Sequence, residues 1–139
     1  MFTSNSERRA RETLLHFELV RTFFQKATNI APKDDEIVQV VAFQNEKEYK
    51  PYQLNAGATA YYERSQSQDY IVMADIEIDH YPVAVHEYTH LVVEHAGFKL
   101  PIWFNEGLAE LYSSVEPQGE KTMVGRDGCR RSSASLGLM

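Results

Sequence analysis

Two histidines and three glutamates between positions 86 and 110 have the types and the spacing to hold a metal ion and work a water molecule beside it. His86 and His90 are four residues apart. On a helix that separation turns the side chain by only about 40° and lifts it by about 6 Å, so both imidazoles reach one ion. Glu87 lies between them in His86-Glu87-Tyr88-Thr89-His90. A carboxylate there is close enough to take a proton from water held by the ion, which is why His-Glu-x-x-His is the spacing of zinc hydrolases. Such sites use three protein ligands, His₂Glu among the recurring sets, and leave a fourth position for water; Glu106 is the candidate third ligand. Glu110 follows at i+4 on the same predicted helix, placed to accept the spare ring N–H of a ligating histidine and fix its tautomer. The cofactor expected from this set is one Zn2+ per chain.

The elements that must position these residues are legible around them. Pro82 suits a first helical turn, Val83, Ala84, Leu91, Val92 and Val93 supply apolar surface, and Gly97 stands where a left-handed cap ends the helix. A short connection, Phe98 to Pro101, leads to a second helix over Trp103 to Ser113 that delivers Glu106. Upstream, Ser4-x-x-Glu7 reads as a capping box, and Ala10, Leu14, Phe17, Val20 and Phe24, with Leu15 and Phe23, recur at helical spacing for about 20 residues. Asn29 to Asp35, with Pro32, reads as a loop. Ile37 to Phe43 is a β-branched run of strand length, expected to be central in a sheet. Glu46 to Tyr52 predicts a surface helical turn ended by Pro51. Ala60 to Arg64 and Tyr70 to Ala74 flank a polar stretch with the length of a hairpin loop. The order helix, strand, hairpin, helix, helix predicts an α+β fold, in which a small, mostly antiparallel sheet packs on the N-terminal helix and the motif helix.

Taken together, His86-Glu87-Tyr88-Thr89-His90 and Leu100-Pro101-Ile102-Trp103-Phe104-Asn105-Glu106-Gly107-Leu108-Ala109-Glu110 resemble the gluzincin metallopeptidases, most closely the bacterial peptidase MA-like domains, whose signature is HExxH followed by Pro-x-Trp-x-x-Glu-Gly-x-Ala-Glu. The resemblance implies a zincin-like fold in which His86, His90 and Glu106 bind zinc, Glu87 is the general base and Glu110 supports a ligand. Gly57 to Tyr62 resembles the edge strand with which gluzincins pair a substrate backbone, implying substrate contacts at Ala58, Ala60 and Tyr61. The partner implied is a peptide or protein substrate. The alternating tyrosines also have a packing role open to them, as cross-strand pairs.

The remaining titratable residues carry less. His16 falls beside the apolar stripe of the first helix and reads as a packing residue, His80 precedes Pro82 at the entrance to the motif helix, and Glu94 with His95 reads as a solvated helix end rather than a second metal site. Zinc hydrolases also need a donor, often Tyr or His, for the oxyanion that develops on the carbonyl. Downstream of Glu106 the chain offers only Tyr112. The expectation is therefore a zinc-dependent metallopeptidase that hydrolyses peptide bonds with Glu87 as general base, turning over poorly as these 139 residues alone, and the alternative function is a non-catalytic zinc-binding remnant or scaffold domain of a larger peptidase.

Composition bounds the class. A chain of 139 residues and 16.0 kDa is one domain by size, and its 43% hydrophobic and 12% aromatic content is that of a globular protein. Residues 1–116 form the expected metallopeptidase core and 117–139 a weakly patterned C-terminal tail. A net charge of −6 with no basic stripe argues against nucleic acid as a partner, and no apolar run reaches the ~18 residues of a membrane span. The single cysteine, Cys129, allows no internal disulfide and reads as a bystander. Polar Thr3 to Arg11 in place of an apolar stretch predicts no signal peptide. A cytoplasmic protein is expected, or a periplasmic or secreted one if this is a segment of a longer precursor.

Overall fold

The computed structural model describes residues 1–29, 37–118 and 120–125, without the side chain of Ile78. The loop expected from Asn29 lies mostly outside these residues, as do Cys129 and most of the C-terminal tail. Two strands and the first helix open the chain: β1 (Phe2–Thr3), α1 (Glu7–Thr28) and β2 (Val38–Ala42). Then α2 (Glu46–Tyr49) runs into a 3₁₀ turn (Lys50–Tyr52), followed by the hairpin β3 (Ala60–Arg64) and β4 (Asp69–Met73). A second 3₁₀ turn (Ile78–His80) enters α3 (Tyr81–His95); α4 (Ile102–Ser113) and a small hairpin, β5 (Glu116–Gln118) with β6 (Lys121–Met123), complete the described chain. This is an α+β architecture, and no helix among the described residues is long and apolar enough to cross a membrane.

The sheet corrects one expectation. It is mixed rather than mostly antiparallel: the order is β1-β2-β4-β3, with β1 and β4 both parallel to β2 and only β3 antiparallel to its neighbour β4. The cause is where the hairpin sits. The connection through α2 is long enough to carry the chain across to the far edge, which parallel pairing requires. There β3 stays outermost and β4 turns back into the middle. Burial selects that arrangement: Ile71 and Met73 of β4 are fully buried and Val72 is nearly so, whereas Glu63 and Arg64 of β3 face solvent. The β-branched run of β2 does lie inside the sheet, between β1 and β4.

One face of the sheet receives α1 and α3. Val40, Ala42, Ile71 and Met73 pack with Phe17, Val20 and Phe24 of α1 and with Ala84, Val85, Tyr88, Leu91 and Val92 of α3. The opposite face carries a smaller cluster in which Tyr49 of α2 covers Val72 and Ala74. Two local expectations shift. The N-cap of α1 is Ser6, whose Oγ accepts from the Arg9 N–H, not Ser4. The buried stripe is Thr13, Phe17, Val20 and Phe24, which leaves Leu14 and Leu15 exposed. Thr13 joins the stripe because its Oγ1 donates to the Arg9 carbonyl and accepts from the Tyr81 hydroxyl, 2.8 Å away at the start of α3, while buried. The strand β1 went unread because two residues are too short to show a period. The hairpin β5–β6 crosses the expected core–tail boundary at 116/117.

Truncating the centre of β4 tests this account. Ile71→Ala should destabilise the fold by about 2–5 kcal/mol, because a fully buried side chain leaves both its transfer energy and a cavity behind. The midpoint of urea unfolding reads it, and a loss below about 1 kcal/mol would place β4 outside the core.

Candidate metal centre

The helix α3 is two-faced. Ala84, Val85, Tyr88, Leu91 and Val92 are buried, while His86, Glu87 and His90, on the other side, are only partly covered. Pro82 lies in its first turn, and Gly97 at φ +73° follows its end and donates its N–H to the Glu94 carbonyl at 2.9 Å, as the left-handed stop predicts. The chain reverses through Pro101, and α4 packs back on α3 with Ala109 fully buried. That hairpin of helices brings Glu106 to the histidines.

His86, His90 and Glu106 form a group able to hold a metal ion. The two Nε2 atoms are 3.2 Å apart, His86 Nε2 is 3.3 Å from Glu106 Oε2, and His90 Nε2 is 3.4 Å from Glu106 Oε1. Ligands at about 2.0–2.1 Å from a tetrahedral ion stand roughly 3.3–3.4 Å from one another, so the nitrogens and the carboxylate are spaced as a ligand set. The carboxylate faces one histidine with each oxygen. Both imidazoles are about four-fifths covered, with side-chain exposures of 21% and 18%, while Glu106 at 56% leaves the group open on one side.

The tautomer of His90 is set by a residue the sequence did not single out. Asn105 Oδ1 lies 3.2 Å from His90 Nδ1. A carbonyl oxygen only accepts, so the ring proton sits on Nδ1 and the Nε2 lone pair faces His86 and Glu106. Asn105 precedes Glu106 on the first turn of α4, and its signal was its adjacency to the candidate third ligand. Glu110 stands in the corresponding place for His86, with Oε2 3.8 Å from Nδ1. That is an ion-pair distance but longer than a hydrogen bond, and the side chain is 82% exposed.

Glu87 points along the edge of the sheet, where its Oε2 accepts the main-chain N–H of Tyr62 at 3.2 Å. Burial pushes its carboxyl above the ordinary carboxylate range; His90, His86 and the Tyr62 N–H oppose this only in part, and Glu106 adds to it. Of the expected substrate-strand residues, Ala58 lies in the turn before β3 and has both backbone groups engaged, its N–H with the Asn55 carbonyl and its oxygen with Gln53 Nε2. The ladder alternates from the Ala74 N–H bonded to the Thr59 oxygen, so Tyr61 turns its backbone groups to Val72, while Ala60 and Tyr62 turn theirs away from β4. Ala60 and Tyr62, both within the expected Gly57 to Tyr62 stretch, therefore define the outer edge, and Tyr61, named as a substrate contact, turns inward.

The other titratable residues have partners elsewhere. His80 Nδ1 is 2.6 Å from Asp75 Oδ1, a contact that steadies the entrance to α3. His16 lies against the Tyr81 ring with centroids 4.6 Å apart, and burial pushes its pKa down against the pull of Glu116. Tyr112 packs on Phe23 and Phe24. Glu94 pairs with Arg64 at 2.6 Å, and His95 pairs with the buried Asp69 rather than with solvent, which corrects the reading of this helix end. Compared with known proteins, the chain matches no family model, no curated protein and no solved structure.

Two measurements follow. Asn105→Ala should weaken zinc binding on the order of 10–100-fold, and Glu110→Ala by clearly less, because only Asn105 is within hydrogen-bond distance. Isothermal titration ranks them, and the reverse order would remove Asn105 from the site. Glu87→Gln should raise the melting temperature of the metal-free protein, with a larger rise at pH 8 than at pH 5 in thermal melts. The sign follows from burial: the folded chain holds this proton more tightly than the unfolded one, so stability is lost as pH rises through the raised pKa, and the amide removes that loss.

Proposed function

We propose that this chain is a zinc-dependent peptide hydrolase of the gluzincin type, with a zincin-like arrangement of its motif helix and sheet. The observation that carries the reading is the 3.2–3.4 Å spacing of His86, His90 and Glu106 beside a carboxylate anchored to an open strand edge. His86, His90 and Glu106 would hold the zinc, with Asn105 fixing His90 in the ligating tautomer and Glu110 beside His86. When bound, zinc supplies Lewis-acid chemistry that lowers the pKa of water and polarises a carbonyl. Glu87 takes the proton from the attacking water and passes it to the leaving amine; its raised pKa suits a group that must accept and then release a proton. The outward-turned groups of Ala60 and the outward-turned carbonyl of Tyr62, whose N–H is taken by Glu87, would hold an extended peptide by strand addition.

A second reading, a zinc-binding domain with little turnover, is favoured by one observation. Of the donors the chain could offer an oxyanion, His80 and the Tyr62 hydroxyl are held by Asp75 and Asp69, and the Tyr112 ring packs on Phe23 and Phe24. Absence of one such donor costs on the order of 10²–10³ in kcat.

Incubation with a mixed peptide library at saturating zinc separates the two. Slow cleavage that disappears in Glu87→Gln while zinc remains bound is the expected result. Cleavage that survives the substitution would remove Glu87 as the base, and no cleavage by the parent would leave the binding-domain reading.

A further inference from the structure

The polar contacts between β3 and α3 run along one stripe of the helix. Glu87, Glu94 and His95 lie at i, i+7 and i+8 and so share a face. Tyr62 pairs with Ile71 and Arg64 with Asp69 across the hairpin, which puts residues 62, 64, 69 and 71 on one side of the sheet. Three contacts join the two sets: the Tyr62 N–H to Glu87, Arg64 to Glu94, and Asp69 to His95. They are unequal. Arg64 and Glu94 are open to solvent, where an ion pair contributes little, but Asp69 is 6% exposed and the His95 side chain 12%. The buried pair also reaches back to the strand, because the Tyr62 hydroxyl donates to Asp69 Oδ1 at 3.4 Å. Tyr62 is thus held at both ends, by Asp69 through its hydroxyl and by Glu87 through its N–H.

We propose that Asp69 and His95 are positioning residues for Glu87, acting through Tyr62. The pair ties the hairpin to the last turn of α3, Tyr62 transmits that tie along β3, and its N–H fixes the rotamer of Glu87 and the width of the slot between the strand edge and the metal cluster. The role in turnover rests on the hydrolase reading; the mechanical tie does not. Displacement of a reacting group by about 1 Å can cost 10²-fold, so partial loosening of Tyr62 should be visible in rate.

The test uses the full chain and two readouts. Amide hydrogen exchange at Tyr62, followed by NMR with and without zinc, reports the tie itself; kcat, KM and zinc affinity report its consequence. Tyr62→Phe removes only the hydroxyl, His95→Ala removes the far partner, and Asp69→Asn keeps the oxygen that accepts from the Tyr62 hydroxyl while its amide N–H donates to a neutral His95 Nε2. The first two should speed Tyr62 amide exchange on the order of tenfold and lower kcat by a similar factor, with KM and zinc affinity within about twofold, while Asp69→Asn stays near the parent. If His95→Ala fails to fold, the comparison of Tyr62→Phe with Asp69→Asn still decides. Parental exchange at Tyr62 in Tyr62→Phe overturns the proposal, and so does a zinc affinity that falls in step with kcat. A parent that cleaves no peptide sinks the hydrolase reading alone, because the exchange rates still report whether the tie exists.

Discussion

Everything at the metal cluster depends on α3 being buried along one face and left open along the other. The buried face is set by Val85, Tyr88, Leu91 and Val92 against the sheet and α1, and each of these fixes the rotation of the helix to within a fraction of a turn. Once that rotation is fixed, His86 and His90 have no choice of direction. The core thus orients the ligands at no separate cost, and Thr13 with Tyr81 adds a polar index mark where an apolar contact alone would let the helices slide.

The open face is served by two elements, one from each side of α3 in the sequence. The helix α4 brings Asn105, Glu106 and Glu110, and the strand β3 brings the backbone of Tyr62. These supports differ in kind. Glu106 and Asn105 contact the histidines, whereas Tyr62 contacts Glu87, so the His86–His90–Glu106 group and the Glu87 carboxylate lean on different parts of the fold. Glu87 carries the cost of this arrangement as a partly buried carboxylate.

Much of this was readable from the chain. Periodicity and caps gave α1, α3, α4 and the hairpin almost to the residue, because each has a strong local signal: an apolar stripe, Pro82, Gly97, or a polar turn between aromatic runs. His86 and His90 followed from their spacing and Glu106 from the recurring His₂Glu ligand set and the family resemblance, and the three lie together. What escaped was non-local. Strand order depends on which strand wins the central, doubly buried position, and only packing decides that between β3 and β4. The pair Asp69–His95 joins residues 26 apart with no motif between them, so His95 looked like an ordinary helix end. Tyr62 contributes through its backbone N–H, which no side-chain pattern records.

The contact between Glu87 and Tyr62 has a consequence for the protein's behaviour in company. An open sheet edge is a template on which another chain can pair, and short edge strands with charged ends are one way proteins avoid it. Here β3 is five residues long, ends in Glu63 and Arg64, and has one of its outward N–H groups already occupied by an anion from its own helix. A second copy adding itself along β3 would have to strip that carboxylate away and leave it partly buried without its donor. The Glu87 carboxylate therefore also guards the edge against self-assembly into sheets.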